Sequence, residues 1–150
     1  MSENYLKKAI EFAKEAHGNQ RYGDKPYVYH LLKVAKVAKR YGGSEFQIIC
    51  SFLHDVLEDT PVTFDQLSKA FGRAATVIDL VSNRASKEET FKRIRSSKDA
   101  VFVKLCDRIA NVEEGAKNSK YRKEYPLFKS ILYRKGEFES MWEYLDKLLK

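Results

Sequence analysis

The chain has 150 residues, and 28 Lys+Arg against 21 Asp+Glu give a formal net charge of +7, a length that fits one domain over residues 1–150. A hydrophobic fraction of 43% with 13% aromatic residues supplies the apolar surface for a core and excludes disorder as the main state. The densest apolar stretch, Phe46 to Leu53, is short and broken by Gln47 and Ser51, so no segment approaches the ~18 apolar residues that cross a bilayer.

In chain order, Tyr5, Leu6, Ala9, Ile10, Phe12, Ala13 and Ala16 recur at three- and four-residue spacing and predict an amphipathic helix ending near Gly18. Gly23, Asp24 and Pro26 make the next segment, Asn19 to Tyr27, a loop, and Arg21 and Lys25 make it basic. From Tyr29 the helical pattern resumes through Leu31, Val34, Ala35 and Ala38, and Gly42-Gly43 ends it. Ser44 with Gln47 is a capping box for a third helix, which carries Phe46, Ile49, Phe52, Leu53 and Val56 and stops before Pro61. Thr63 with Gln66 and Ser86 with Glu89 repeat the cap signature, predicting helices over 64–71 and 87–96, with another from Ala74 to Val81. Val101, Phe102, Leu105, Ile109 and Val112 place a helix over Asp99 to Val112. The tail from Tyr121 to Leu149 shows two aromatic-rich helical patterns divided around Gly136, and its aromatic residues are read as core. No period-2 strand pair, internal repeat or linker is evident. The fold class is therefore all-α, a bundle of about eight helices.

Lys7, Lys8 and Glu11 stand on an amphipathic start without a signal-type apolar block, and Cys50 and Cys106 each lie in an apolar segment. Both features predict a cytoplasmic protein with reduced, buried cysteines.

The chemistry concentrates at His54-Asp55 followed by Glu58-Asp59. On one continuous helix these four positions fall within an arc of about 140° and share a face. Carboxylates in the last turn oppose the helix dipole, so something positive is expected to compensate them. A mixed His and Asp set suits a borderline divalent cation such as Mn²⁺, Fe²⁺ or Zn²⁺. His30, at the junction of the basic loop and the second helix, and Asp107, which interrupts an apolar pattern, are the further candidate ligands. The bland readings are a capping His30, a surface ion pair of Asp107 with Arg108, and His17 as no ligand at all.

Four strings carry a family pattern: Ala16-His17-Gly18-Asn19-Gln20-Arg21, Pro26-Tyr27-Val28-Tyr29-His30, Leu53-His54-Asp55-Val56-Leu57-Glu58-Asp59-Thr60, and Lys104-Leu105-Cys106-Asp107-Arg108-Ile109-Ala110-Asn111. With Phe71-Gly72 and Leu80-Val81 between them, they resemble the HD-domain hydrolases of the RelA/SpoT type over about residues 5–115, leaving 116–150 as C-terminal helices outside the pattern. The resemblance implies a stand-alone HD hydrolase domain with one divalent ion, Mn²⁺ first and Fe²⁺, Co²⁺ or Zn²⁺ as alternatives. It implies His30, His54, Asp55 and Asp107 as metal ligands and Glu58 and Asp59 as the catalytic acidic pair. Arg21 and Asn111 match substrate-side positions, and Lys25 and Lys104 add positive charge for an anionic nucleotide.

The implied activity is guanosine-3′,5′-bis(diphosphate) 3′-pyrophosphohydrolase, yielding GDP and pyrophosphate. The chain departs from the family at Leu31, where Pro is usual, at Ala110, where His is usual, and at Tyr22 and Gly23 in the basic loop. These departures keep a second reading open, an HD phosphohydrolase acting on a deoxynucleotide, NADPH or a signalling nucleotide. A basic nucleic-acid-binding module, motivated by the net charge and by Lys117, Lys120 and Arg122 among tyrosines, ranks below both, as does a metal-binding regulatory domain. It gives no reason for His54, Asp55, Glu58 and Asp59 to share a face. No membrane partner is expected.

Overall fold

The computed structural model describes residues 3–150, so residues 1 and 2 of the expected domain lie outside the described part. Its elements are α1 (Glu3–His17), β1 (Arg21–Tyr22), β2 (Lys25–Pro26), α2 (Tyr27–Arg40), α3 (Glu45–Leu53), α4 (Val56–Asp59), α5 (Phe64–Phe71), α6 (Ala74–Val81), α7 (Lys87–Arg95), α8 (Lys98–Glu114), α9 (Asn118–Leu132) and α10 (Glu139–Leu149). The all-α class holds. The helical segments number ten among the described residues, against about eight expected; the nine helical patterns read along the chain become ten because the third is split and its second piece is a single turn.

Helix starts follow their caps. Ser44 and Gln47 close a reciprocal box on α3, and Thr63 and Gln66 do the same on α5. At α7 only half of the expected box forms, with the Ser86 hydroxyl accepting from the Glu89 amide. α8 begins on Ser97 and ends at Gly115, whose left-handed φ of 84° lets the chain turn away. α9 carries Pro126 inside the helix.

α8 runs through the middle of the molecule, burying Val101, Leu105, Ile109 and Val112 on a stripe that α2, α3, α6 and α7 cover. α1 lays Ala9, Ala13 and His17 against α3, α2 and α4. Beyond α7, α9 and α10 add Phe128, Leu132, Trp142 and Leu145 to the same continuous core. The tail aromatics are core as expected at Tyr125, Phe128 and Trp142, which are 3%, 0% and 1% exposed. Cys50 and Cys106 are free and buried. No helix among the described residues is long and apolar enough to cross a membrane.

Two departures from expectation matter for function. The loop after α1 contains a minimal antiparallel hairpin, pairing Arg21 with Pro26 and Tyr22 with Lys25. Its two-residue turn begins at Gly23, whose φ of 63° is the conformation that hairpin turns require and glycine adopts without steric cost. Strands of two residues cannot display a period of two, which is why the pattern reads as a loop. The second departure is at His54-Asp55, where the predicted continuous helix breaks into α3 and α4. The His54 imidazole Nδ1 lies 2.7 Å from the Ser51 carbonyl, the acceptor that the Asp55 amide would use if the helix continued. Asp55 then adopts φ −101°, ψ 2°, outside the helical well. The 140° arc on a continuous helix is therefore corrected, although all four residues still face one cavity.

Candidate active site

Elements distant in sequence meet at a cavity of about 590 Å³, within the range of small-molecule sites. The hairpin brings Arg21, Tyr22 and Lys25 to it, and α2 brings His30. The α3–α4 break contributes His54 and Asp55, and α4 adds Glu58 and Asp59. From α8 come Lys104, Asp107, Arg108 and Asn111. Every site residue expected from the sequence lines this one cavity.

His30, His54 and Asp55 each offer a donor atom within 4.8 Å of the other two. Asp107 falls outside that set but places Oδ1 at 3.0 Å from His30 Nε2 and 3.2 Å from His54 Nε2. His54 is the most telling member. Its Nδ1 donates to the Ser51 carbonyl, which fixes the ring and leaves Nε2 facing inward as the atom where a metal would take the place of a proton. Nε2 is 2.9 Å from Asp55 Oδ2, yet it is buried and makes no well-directed hydrogen bond. Two carboxylates and two imidazoles crowded into one volume, with His30 Nε2 against Asp107 and His54 Nε2 against Asp55 and Asp107, form a donor set that suits a borderline divalent cation.

The electrostatics are those of a site built around positive charge. Burial disfavours the His54 imidazolium, but Asp55 and Asp107 outweigh it and raise its pKa well above the usual value. Burial likewise pushes the Asp55 and Asp107 carboxyls up, and the imidazoles outweigh it, holding both below the usual range, Asp107 well below. The Tyr27 hydroxyl donates to Asp55 Oδ2 at 2.5 Å, and burial together with that carboxylate raises the phenol pKa. Lys104, whose Nζ is 3.9 Å from Asp107 Oδ2, is lowered by burial, with Asp107 opposing the shift.

Glu58 and Asp59 differ in how they are held. Both oxygens of Glu58 accept from Asn83, one from its main-chain amide and one from its side chain, each at 2.8 Å. Asp59 meets Gln20 Nε2 at 3.3 Å and is otherwise open to the cavity. Asn111 donates to Asp107 Oδ1 at 3.0 Å and accepts from the Tyr22 hydroxyl at 2.7 Å. Lys25 lies 5.0 Å from the centre of the Tyr29 ring.

Some sequence readings need correction. Arg108 is not a surface partner of Asp107. It is buried, pairs with Glu124 Oε1 at 2.6 Å and lies against the Tyr121 and Phe128 rings. The one signal for this was its position three residues after Leu105, on the buried stripe. Leu31 and Ala110, two of the departures beside ligand positions, are fully buried core residues, whereas Tyr22 and Gly23 line the cavity. His30 is not a cap, since it sits inside α2 with 2% exposure. His17 bonds Gln20 and packs on Tyr27. Tyr27, Asn83 and Lys87 were not singled out by the sequence, and Lys117 and Lys120, read there as part of a basic tail, also line the cavity.

An HD domain family model matches residues 9–127. The guanosine-3′,5′-bis(diphosphate) 3′-pyrophosphohydrolase of Aquifex aeolicus is 32% identical over 120 residues, 72% of this chain and 17% of that protein. A probable enzyme of the same name from Synechocystis is 30% identical and is covered to 22%, so the chain spans about a fifth of these two relatives. The guanosine-3′,5′-bis(diphosphate) 3′-pyrophosphohydrolase MESH1 of Danio rerio is 32% identical over 124 residues, 73% of this chain and 68% of that protein. Among solved structures, a metazoan ortholog of SpoT described as hydrolysing ppGpp superposes with a TM-score of 0.81, 21% identity, and coverage of 99% of this chain and 94% of that one. The lmo0812 protein of Listeria monocytogenes follows at 0.67, with 20% identity over 83% of this chain and 94% of its own. Both structural likenesses speak to the fold.

Proposed function

The chain belongs to the HD-domain family, and on that basis we propose that it is a metal-dependent phosphohydrolase that removes the 3′-pyrophosphate of guanosine-3′,5′-bis(diphosphate). One observation carries the reading: His30, His54 and Asp55 converge within 4.8 Å, with Asp107 against both imidazoles, on the wall of a cavity of nucleotide size. The names of the relatives at 32% identity supply the substrate.

In this reading His30, His54, Asp55 and Asp107 hold one divalent ion, Mn²⁺. Bound there, the ion supplies Lewis acidity toward a phosphoryl oxygen and lowers the pKa of water beside it toward neutrality. The side chains do the rest. Glu58, held by Asn83, and Asp59 stand beside the ligand set but outside it, so their remaining lone pairs take the proton of the attacking water and return one to the ribose O3′ as its bond to phosphorus breaks. Arg21, Lys25 and Lys104 face the phosphate charge as it redistributes, and Asn111 binds on the sugar side. Arg21, Lys25, Lys87, Lys104, Lys117 and Lys120 line the cavity, and with a divalent ion bound among the carboxylates their charge supports a polyanionic substrate. We take residues 1–150 as one domain, supported by the continuous core, and place the protein in the cytoplasm, supported by its free cysteines.

The test is product analysis with Mn²⁺ over a panel of ppGpp, pppGpp, NADPH, deoxynucleoside triphosphates and cyclic nucleotides, with Asp55→Ala as the blank. GDP and pyrophosphate from ppGpp, absent in the blank, are expected. A second reading, another nucleotide at the same site, is favoured by one contact, the Tyr22 hydroxyl already bound to Asn111 Oδ1. Turnover of another panel member alone would establish it. Silence across the panel with metal bound would contradict both.

A further inference from the structure

Metal-bound imidazoles are ordinarily oriented by a hydrogen bond from their second ring nitrogen. At His54 that bond goes to Ser51. His30 has no equivalent, because its Nδ1 is buried without a partner while Nε2 faces Asp107. Something else must keep this ring in place. The Tyr22 ring lies flat upon it, with centroids 4.6 Å apart and planes 6° from parallel. The same residue reaches the opposite wall, where its hydroxyl donates to Asn111 Oδ1 at 2.7 Å. Asn111 in turn donates through Nδ2 to Asp107 Oδ1 at 3.0 Å and to the Asp107 carbonyl at 3.0 Å. Asp107 Oδ1 returns to His30 at 3.0 Å. Tyr22, Asn111, Asp107 and His30 therefore form a closed circuit that joins the hairpin, α8 and α2.

We propose that Tyr22 is a positioning residue for the ligand set, its ring replacing the missing hydrogen bond at His30 and its hydroxyl fixing Asp107 through Asn111. The inference rests on the metal reading of the site given above. It also explains how the hairpin is held. Strands of two residues have too few backbone bonds to persist alone, and the Tyr22 contacts anchor the segment that carries Arg21 and Lys25. Metal affinity and the placement of those two cations thus share one side chain.

The experiment measures the Kd for Mn²⁺ alone, by competition against a chromogenic chelator, with no nucleotide present. It compares the wild type with Tyr22→Leu, Tyr22→Phe, Asn111→Ala and the Tyr22→Phe/Asn111→Ala double variant, each monitored for metal-free thermal unfolding. Tyr22→Leu removes stack and hydroxyl, and should weaken Mn²⁺ binding on the order of 10- to 100-fold, the range for outer-sphere partners of metal ligands. Tyr22→Phe keeps the stack, so it should weaken binding several-fold less than Tyr22→Leu, with the metal-free unfolding midpoint unchanged. Because its hydroxyl acts through Asn111, the Phe effect should vanish in the Asn111→Ala background.

Wild-type affinity in both Tyr22 variants would overturn the proposal, as would purely additive effects of Tyr22→Phe and Asn111→Ala. If Tyr22→Leu fails to fold, the Tyr22→Phe and double-variant comparison decides. A wild type that binds no Mn²⁺ would sink the metal reading itself and this inference with it, a result distinct from bound metal with indifferent variants.

Discussion

Asp55 and Glu58 stand three positions apart and face the same cavity, yet their surroundings assign them different tasks. Asp55 is drawn inward by His54 and Tyr27, while Glu58 is exposed and clamped by Asn83. Asp55→Ala should therefore lose bound Mn²⁺ and turnover together. Glu58→Gln should keep the metal and lower kcat by roughly 10²- to 10⁴-fold, the usual share of a positioned acid or base. Metal content and turnover measured on the same preparations check this, and parallel loss of both in the two variants would contradict it. Asp55, His54, His30 and Asp107 were legible in the sequence because each is an ionisable residue set into an apolar pattern. Tyr22 was legible only as a departure in the basic loop, and Tyr27 and Asn83 not as site residues, since the roles of all three arise from partners such as Asn111, Asp55 and Glu58, 89, 28 and 25 positions away.

The elements that place these residues are held by a few contacts between helices. Arg108 on α8, 3% exposed, pairs with Glu124 on α9, 9% exposed, and is sandwiched between Tyr121 and Phe128. Burial raises the Glu124 carboxyl, but Arg108 outweighs it and holds its pKa below the usual value. A carboxylate depressed in the folded state contributes stability above its unfolded pKa, and that contribution is lost as pH falls through the folded one. Glu124→Gln should cost about 3–5 kcal/mol at neutral pH, the penalty for leaving a buried charge unpaired. The gap from wild type should narrow below pH ~4.3, and urea unfolding across pH reads both quantities. A pH-independent gap would show that the loss is one of packing.

Gly43 is a second pinning point. A Cβ there would stand 2.9 Å from the Ala38 carbonyl oxygen and 2.9 Å from Phe102 Cε2, so Gly43→Ala should destabilise by about 1–3 kcal/mol through overpacking. An unchanged unfolding midpoint would refute the close approach. The Thr63 cap made α5 legible, with Phe64–Phe71 matching its expected bounds, and Ala74–Val81 matches its expected bounds although no side chain caps it. The α3–α4 break was hidden because its cause is the imidazole of His54 taking a carbonyl of its own helix, which periodicity does not register.

Of the chain's 28 basic residues, Arg21, Lys25, Lys87, Lys104, Lys117 and Lys120 line the cavity, where they face as many carboxylates, so a bound divalent ion tips the site toward positive charge. Raising ionic strength from about 0.05 to about 0.2 M should raise KM for a polyanionic nucleotide several-fold and leave kcat nearly unchanged, because screening acts on encounter and binding. Flat KM values would remove the electrostatic role. The tail past residue 115 illustrates what the sequence conveyed in part: its helices and aromatic core were readable from periodicity. That α9 would also bring Lys120 and Tyr121 to the cavity mouth depends on how it packs against α7 and α8, a tertiary fact.

An anomalous difference map from crystals grown with Mn²⁺ locates the metal directly. A single strong peak among His30, His54, Asp55 and Asp107, absent in Asp55→Ala crystals, is the predicted result. A peak elsewhere, or none at saturating Mn²⁺, would contradict the assignment of the phosphohydrolase centre to these residues.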